Sequence, residues 1–246
     1  MKMKRTAVAA LVLTLSAAAQ AAPEPGQMAF VSLNADEDGF AVATFVDLDA
    51  GAEFFFTDSE WNGLAVGAGG GFNTGEGVLS WTLDTDLAAG SVVRFLSVDD
   101  RIAISASVGE VTRSGSFSLA TTNDAVTLYA DLAGVVTPLA AIGNGSGVDL
   151  ADELTGSGLE ALALDLDGRA DYAEYTGARS GSDDMSAYAG DVLDIGNWTV
   201  RSATDEAGTV PNLTAFSVTA PVPEPETYAM MLAGLGLMSL VARRRT

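Results

Sequence analysis

The side chains able to do chemistry in this chain are almost all carboxylates. Its 246 residues include 33 Asp+Glu against 12 Lys+Arg, with no histidine and no cysteine. Both lysines, Lys2 and Lys4, lie at the extreme N-terminus. These absences exclude Ser-His-Asp and Cys-His nucleophiles, and ordinary zinc or copper sites. Ser-Lys dyads and Schiff-base chemistry are excluded for everything beyond the N-terminal leader. Two uses of carboxylates remain. One is an acid/base pair of the kind that cleaves glycosides. The other is the binding of a hard cation, with calcium as the expected ion. Asp165-Leu166-Asp167-Gly168-Arg169-Ala170-Asp171 fits the second use best. It sets oxygen donors Asp165, Asp167 and Asp171 at alternating positions around a glycine turn, without the bidentate Glu of an EF-hand loop. Asp36-Glu37-Asp38-Gly39 and Asp47-Leu48-Asp49 are weaker versions, and turn chemistry alone accounts for such Asp/Gly clusters equally well.

Aromatic residues offer a different function, stacking against sugar rings. Trp61 follows a strand end and is expected to stand exposed in a loop, as a ligand platform. Trp81 alternates with Leu79 and Leu83 and belongs in a core. Trp198 is expected to staple a helix to the sheet. Three Asn-x-Ser/Thr sequons begin at Asn144, Asn197 and Asn212. Gly69-Gly70-Gly71 lacks the Lys-Ser/Thr and the helix of a phosphate loop.

The elements that must position these residues read as short strands broken at Gly, Asp and Asn. Strands are expected over 27–33, 40–48, 53–57, 77–83, 92–97, 102–108, 125–129, 139–142 and 159–166. The run Phe40-Ala41-Val42-Ala43-Thr44-Phe45-Val46 barely alternates and should be a central strand, covered on both faces. One helix is expected between Ser182 and Asp194, with Met185, Tyr188, Val192 and Ile195 at helical spacing. Nine or more short strands with one short helix predict an all-β fold, an antiparallel β-sandwich. Without cysteine, this domain must hold by packing.

The two ends read as addresses. Met1-Lys2-Met3-Lys4-Arg5, the apolar Ala7–Ala19 and Ala19-Gln20-Ala21 form a signal peptide over 1–21, cleaved after Ala21. The domain then spans 22–220, and residues 221–246 form the tail. In it Val222-Pro223-Glu224-Pro225 precedes an uncharged stretch, 228–242, ended by Arg243, Arg244 and Arg245. That stretch would rise roughly 22 Å as a helix, short of the ~30 Å hydrocarbon core. The arginines would stop it on the cytoplasmic side, with the domain in the periplasm. The terminal segments contain six of the basic residues and two of the acidic ones. The domain therefore carries a net charge of −25. Nucleic acid is excluded as a partner on that ground, since phosphate binding needs a basic surface.

The tail closely resembles the PEP-CTERM sorting signal of exported bacterial proteins. The resemblance implies an exosortase as partner, an inner-membrane stage, and a host that makes exopolysaccharide and biofilm. Val222, Pro223, Glu224 and Pro225 become recognition residues on that reading. A second resemblance lies in Phe56-Thr57-Asp58-Ser59-Glu60-Trp61, Gly75-Glu76-Gly77-Val78-Leu79-Ser80-Trp81-Thr82, Ala170–Gly177 and Asn197-Trp198-Thr199. These segments resemble exported lamin-tail-domain-like proteins of the FTDNGW type, with departures at Ser59-Glu60 and Tyr172. That resemblance implies an immunoglobulin-like sandwich without established enzymatic activity. The expectation is a non-catalytic exported protein of the cell envelope, cell surface or matrix. Its alternatives are a calcium-dependent carbohydrate-binding or adhesive module and a carboxylate-dependent polysaccharide hydrolase, with matrix polysaccharide as the further partner.

Overall fold

The structure is a computed structural model that describes residues 22–145, 150–166 and 168–219. The first nine strands are β1 (Met28–Asn34), β2 (Gly39–Thr44), β3 (Glu53–Thr57), β4 (Val78–Thr82), β5 (Val92–Leu96), β6 (Ser105–Ala106), β7 (Glu110–Ser114), β8 (Ala125–Leu132) and β9 (Val135–Gly143). A helical turn α1 (Leu150–Glu153) precedes β10 (Ala163–Asp165), β11 (Tyr172–Tyr175) and β12 (Ser180–Ser182). Helix α2 (Ala187–Leu193), β13 (Trp198–Arg201) and β14 (Ser217–Val218) complete the described chain. Two six-stranded sheets result, ordered β13-β11-β1-β2-β5-β6 and β10-β9-β8-β3-β4-β7. The fold is mostly β with few helices, in keeping with the all-β sandwich expected from the sequence.

Alternation along the strands builds the core between the sheets. Phe30, Phe40 and Phe95 point inward from the first sheet, and Phe54, Phe56 and Trp81 from the second. Phe56 is fully buried at the meeting point, with ring centroids 4.8 Å from Phe40, 4.8 Å from Phe95 and 6.2 Å from Phe30. Trp81 stands edge-on to Phe95 at 5.1 Å and donates its indole N–H to the Val108 carbonyl. Its expected core position is thus observed. β2 is buried throughout and lies between β1 and β5, as its lack of alternation predicts.

Phe55 alternates outward from the same strand, and the outer face of the second sheet is covered too. Phe55 stacks on Tyr129 at 5.2 Å, Tyr129 meets Phe72, and Phe72 meets Trp61 edge-on. Leu150, Leu154 and Leu159 close this satellite core. Across the molecule, the Trp198 indole donates to Val192 of α2, as expected of a staple. Phe216 packs against Phe45, Tyr175 and Tyr188.

Several expected elements differ. Ile102 is 95% exposed, because Asp100 accepts hydrogen bonds from the Ile102 and Ala103 amides and turns the chain there. The strand expected over 102–108 shrinks to β6, and β7 follows it instead. The 159–166 strand shortens to β10 because Leu159–Leu162 form a turn. The helix starts only at Ala187, since Asp184 holds the Ser186 amide in a preceding turn. The short helix α1 is additional. Two strand pairs, β9/β10 and β12/β14, are parallel, so the sheets are not purely antiparallel. The expected 228–242 span lies outside the described residues, among which no helix is long and apolar enough to cross a membrane.

Phe56→Ala is expected to cost about 3–5 kcal/mol by the usual penalty for an emptied core site. Phe55→Ala, at a half-buried outer position, should cost less. Urea unfolding of the two variants checks the order, and equal losses would contradict a core centred between the sheets.

Candidate functional site

Strand polarity divides the loops into two groups at opposite ends of the sandwich. β1 and β5 start, and β2 ends, at one end, where β14 also docks: Phe216 donates its amide to Gly90, whose own amide bonds Thr44. The described chain leaves from this end at Thr219. β3 and β9 finish at the opposite end, where β4 and β8 begin. A cavity of about 100 Å³ opens there, between the loop after β3 and the segment before β8, with α1 along its side.

Carboxylates dominate its lining: Asp58, Glu60, Glu76, Asp124 and Glu153, with Trp61 and Leu154 supplying apolar wall. Two of the five staple loops. Asp58 accepts the Gly77 amide on one oxygen and the Ser118 amide on the other. Asp124 accepts the Ala120 and Ala125 amides, while Asn144 bonds the Asp124 amide and the Ala120 carbonyl. Gly77 has to be glycine here, because a Cβ would lie 2.0 Å from the Phe117 nitrogen. Glu60, Glu76 and Glu153 are then brought up to a wall that is already anionic.

Burial and like charge act together on these groups. Burial pushes the Glu76 carboxyl up, and Asp58, Asp124 and Glu60 add to it. Burial also raises Glu153, followed by Glu60, Asp165 and Asp124. Asp124 is raised by burial despite its two amide donors. A cleft of this kind retains protons above the ordinary carboxylate range and attracts cations. Among the described residues, no three Asp, Glu, His or Cys side chains converge as a metal-holding group.

The residues singled out from the sequence fall elsewhere. Asp165 ends β10, and Asp167 lies outside the described residues. Asp171 is buried, and one of its oxygens accepts two hydrogen bonds from the Arg169 guanidinium, at 3.1 Å each. Asp36 accepts the Glu206 amide, Glu37 pairs with Arg94 at 2.6 Å, and Asp38 accepts the Leu119 amide. Asp47 accepts the Ala89 amide. It borders a wider depression of about 440 Å³ at the β14 end, with Glu53, Phe55 and Asp131. Trp61 requires a correction. It is 5% exposed rather than open to a ligand, because the 62–71 loop folds over it. Its indole donates to the Leu64 carbonyl, Phe72 meets its ring, and a Cβ at Gly70 would lie 2.5 Å from it. Val222, Pro223, Glu224, Pro225, Arg243, Arg244, Arg245, Ala19 and Ala21 lie outside the described residues.

Asp58, Glu60 and Glu76 stand in the sequence as motif letters, and no local pattern groups them with Asp124 and Glu153. The signal that joins them is positional. Asp58 directly follows β3, Asp124 directly precedes β8, and those strands pair with Thr57 opposite Thr127. Single-strand patterns do not contain that register.

Residues 221–245 match the family description of the PEP-CTERM protein-sorting motif. That motif marks exosortase-dependent sorting of an exported protein. No curated protein and no solved structure matches the chain.

The raised carboxyls give the cleft a defined pH response. A carboxyl raised by folding contributes stability below its unfolded pKa, and that contribution is lost as pH rises through the folded pKa. Folding therefore disfavours the charged form of Glu153. Glu153→Gln is expected to melt higher than the parent at pH 7, with the difference shrinking as pH falls toward 4.5, the ordinary value for Glu. Melting curves across that range test it, and a variant that melts lower at pH 7 would refute the electrostatic account.

Proposed function

We propose that this is a non-catalytic exported protein of the cell envelope or extracellular matrix, with its tail serving as substrate for an exosortase. The observation that carries this reading is the sorting motif over 221–245. On it, the 1–21 leader is removed after Ala21, with Ala19 as the other small residue of the cleavage site. The 228–242 stretch holds the protein in the inner membrane, and Arg243, Arg244 and Arg245 fix its orientation. The exosortase recognises Val222, Pro223, Glu224 and Pro225, and the product passes to the cell surface or matrix. Because the described chain leaves at the β14 end, a protein held by its tail turns the acidic cleft away from the membrane. Kinship with the lamin-tail-like group is part of this reading, and the segments that resemble it lie on neighbouring strands. Phe56-Thr57 of β3 pairs with Val78-Leu79 of β4, and β11 pairs with β13.

The acidic cleft favours a second reading, a calcium-dependent carbohydrate-binding or adhesive module. Five carboxylates around one small cavity gain from a divalent cation, which relieves their mutual repulsion. The same cleft is where the carboxylate-dependent hydrolase alternative would operate, on matrix polysaccharide.

Intact-mass analysis of protein from cells and medium tests the leading reading. A mature form that begins at Ala22 and has lost Arg243–Arg245 is expected, and Glu224→Ala should accumulate with the tail attached. Mature protein that keeps its three arginines would contradict processing. Calcium at millimolar concentration should raise the melting temperature if the second reading holds, and an unchanged melt removes it.

A further inference from the structure

The chain has three Asn-x-Ser/Thr sequons, and the structure treats them differently. Asn144 is 1% exposed; its carboxamide donates to the Ala120 carbonyl at 2.6 Å and accepts the Asp124 amide. Asn197 donates to the Asp191 carbonyl at 2.9 Å, and its own carbonyl accepts from the Thr176 amide and hydroxyl. The next residue, Trp198, is buried and paired in β13. A bulky substituent on the Asn144 nitrogen would displace packed backbone, whereas the Asn197 nitrogen is tied to α2 through the Asp191 carbonyl. Asn144 is closed off in the folded protein, and Asn197 is held in place at the start of a paired strand.

Asn212 is placed otherwise. Asn212, Leu213 and Thr214 are all exposed, in a segment (202–216) without helix or strand. The Asn212 carboxamide oxygen accepts the Thr214 amide at 2.9 Å, closing an Asx turn over the sequon itself. No protein group occupies the Asn212 nitrogen among the described residues. The turn is fixed from both sides. The Asn212 amide bonds a Glu174 carboxylate oxygen of β11, and the Thr214 carbonyl accepts from Arg179, whose guanidinium lies 4.8 Å over the Phe216 ring. At Asn212 the folded surface thus presents an acceptor amide beside its hydroxyl residue, on a segment that requires no unfolding to be reached.

We propose that Asn212 is a glycosylation site, the acceptor for a sugar chain delivered as a lipid-diphosphate-linked oligosaccharide. The Asn212 Nδ2 forms a bond to the anomeric carbon, the anomeric carbon–oxygen bond to diphosphate breaks, and the lipid diphosphate leaves. The displaced amide proton passes to a base of the transferase, and no group is oxidised or reduced. The site rests on the export reading, because such donors are used on the far side of the inner membrane. It is independent of tail processing. A sugar there would sit on the segment just before β14 and hinder proteolysis of its exposed backbone.

The test is mass analysis of the full-length chain expressed in its producing cells, intact and as proteolytic peptides. A sugar increment is expected on the peptide that begins at Ser202. It should be lost in Asn212→Gln and in Thr214→Val, and kept in Thr214→Ser. Only the Asx-turn acceptor and its hydroxyl partner change in these variants, so circular dichroism should match the parent. Exported protein, cleaved after Ala21, that carries polypeptide mass alone would overturn the site while leaving export intact. An increment that survives Asn212→Gln, or one that maps to Asn144 or Asn197, would overturn it equally. Chain that retains its leader and carries no sugar would overturn both readings.

Discussion

The contact on which the architecture depends is the meeting of Phe56 with Phe30, Phe40 and Phe95 between the sheets. Each ring comes from a different strand, so the contact fixes register in both sheets at once. A one-residue slip of β3 would exchange Phe56 for Phe55 or Thr57 and turn the inner face outward. Phe55 could not make that exchange without abandoning Tyr129, which makes the two faces of the second sheet interdependent. With no disulfide in the chain, this two-sided packing must supply what cross-links supply in many exported domains. Burial of a single phenylalanine contributes about 1.5–3 kcal/mol, so cooperation among the rings matters more than any one of them.

The carboxylates carry the opposite tendency. A domain charge of −25 repels itself, and the fold offsets part of that by giving acids backbone amides to accept. Asp38, Asp47, Asp58, Asp100, Asp124, Asp131 and Asp184 each accept an amide from a loop. Such bonds stabilise the charged form, and where burial is slight they lower the pKa, as at Asp100 and Asp184. At Asp124 burial prevails over two amides and the pKa rises. The acidic cleft is therefore the place where loop stapling has been carried furthest into desolvation.

These particulars explain what the sequence made legible. The run Phe54-Phe55-Phe56 and the unbroken apolar β2 are local patterns, so their strands were readable to within a residue or two at most ends. Trp81 was placed by its alternation with Leu79 and Leu83. Trp61 was misplaced because its cover comes from Phe72 and Gly70, across a loop whose course no periodicity records. β7, β11 and β13 went unassigned as strands for a related reason. Their alternation is too short or too polar to register before the neighbouring strand is known. The cleft is harder still, since Asp58 and Asp124 become neighbours only through the β3/β8 pairing. The motif letters around Asp58 and Glu76 marked the region without revealing that their carboxylates share one cavity with Glu153.

The C-terminal exit shows how the fold and the tail constrain each other. Before the chain reaches residue 221 it is clasped by four hydrogen bonds to the sandwich. The Phe216 amide bonds Gly90, the Ser217 amide bonds Arg179, the Thr219 amide bonds Ser182, and the Tyr188 hydroxyl donates to the Ser217 carbonyl. Gly90 has φ +88, and a Cβ there would come within 2.1 Å of the Phe216 carbonyl oxygen. Only glycine admits the strand so closely. From Thr219 to Pro223 the chain can span at most about 3.6 Å per residue, so the sorting motif begins within a short reach of this clasp. The exosortase-dependent sorting that this motif marks thus concerns the β14 end of the sandwich, and the acidic cleft lies at the opposite end.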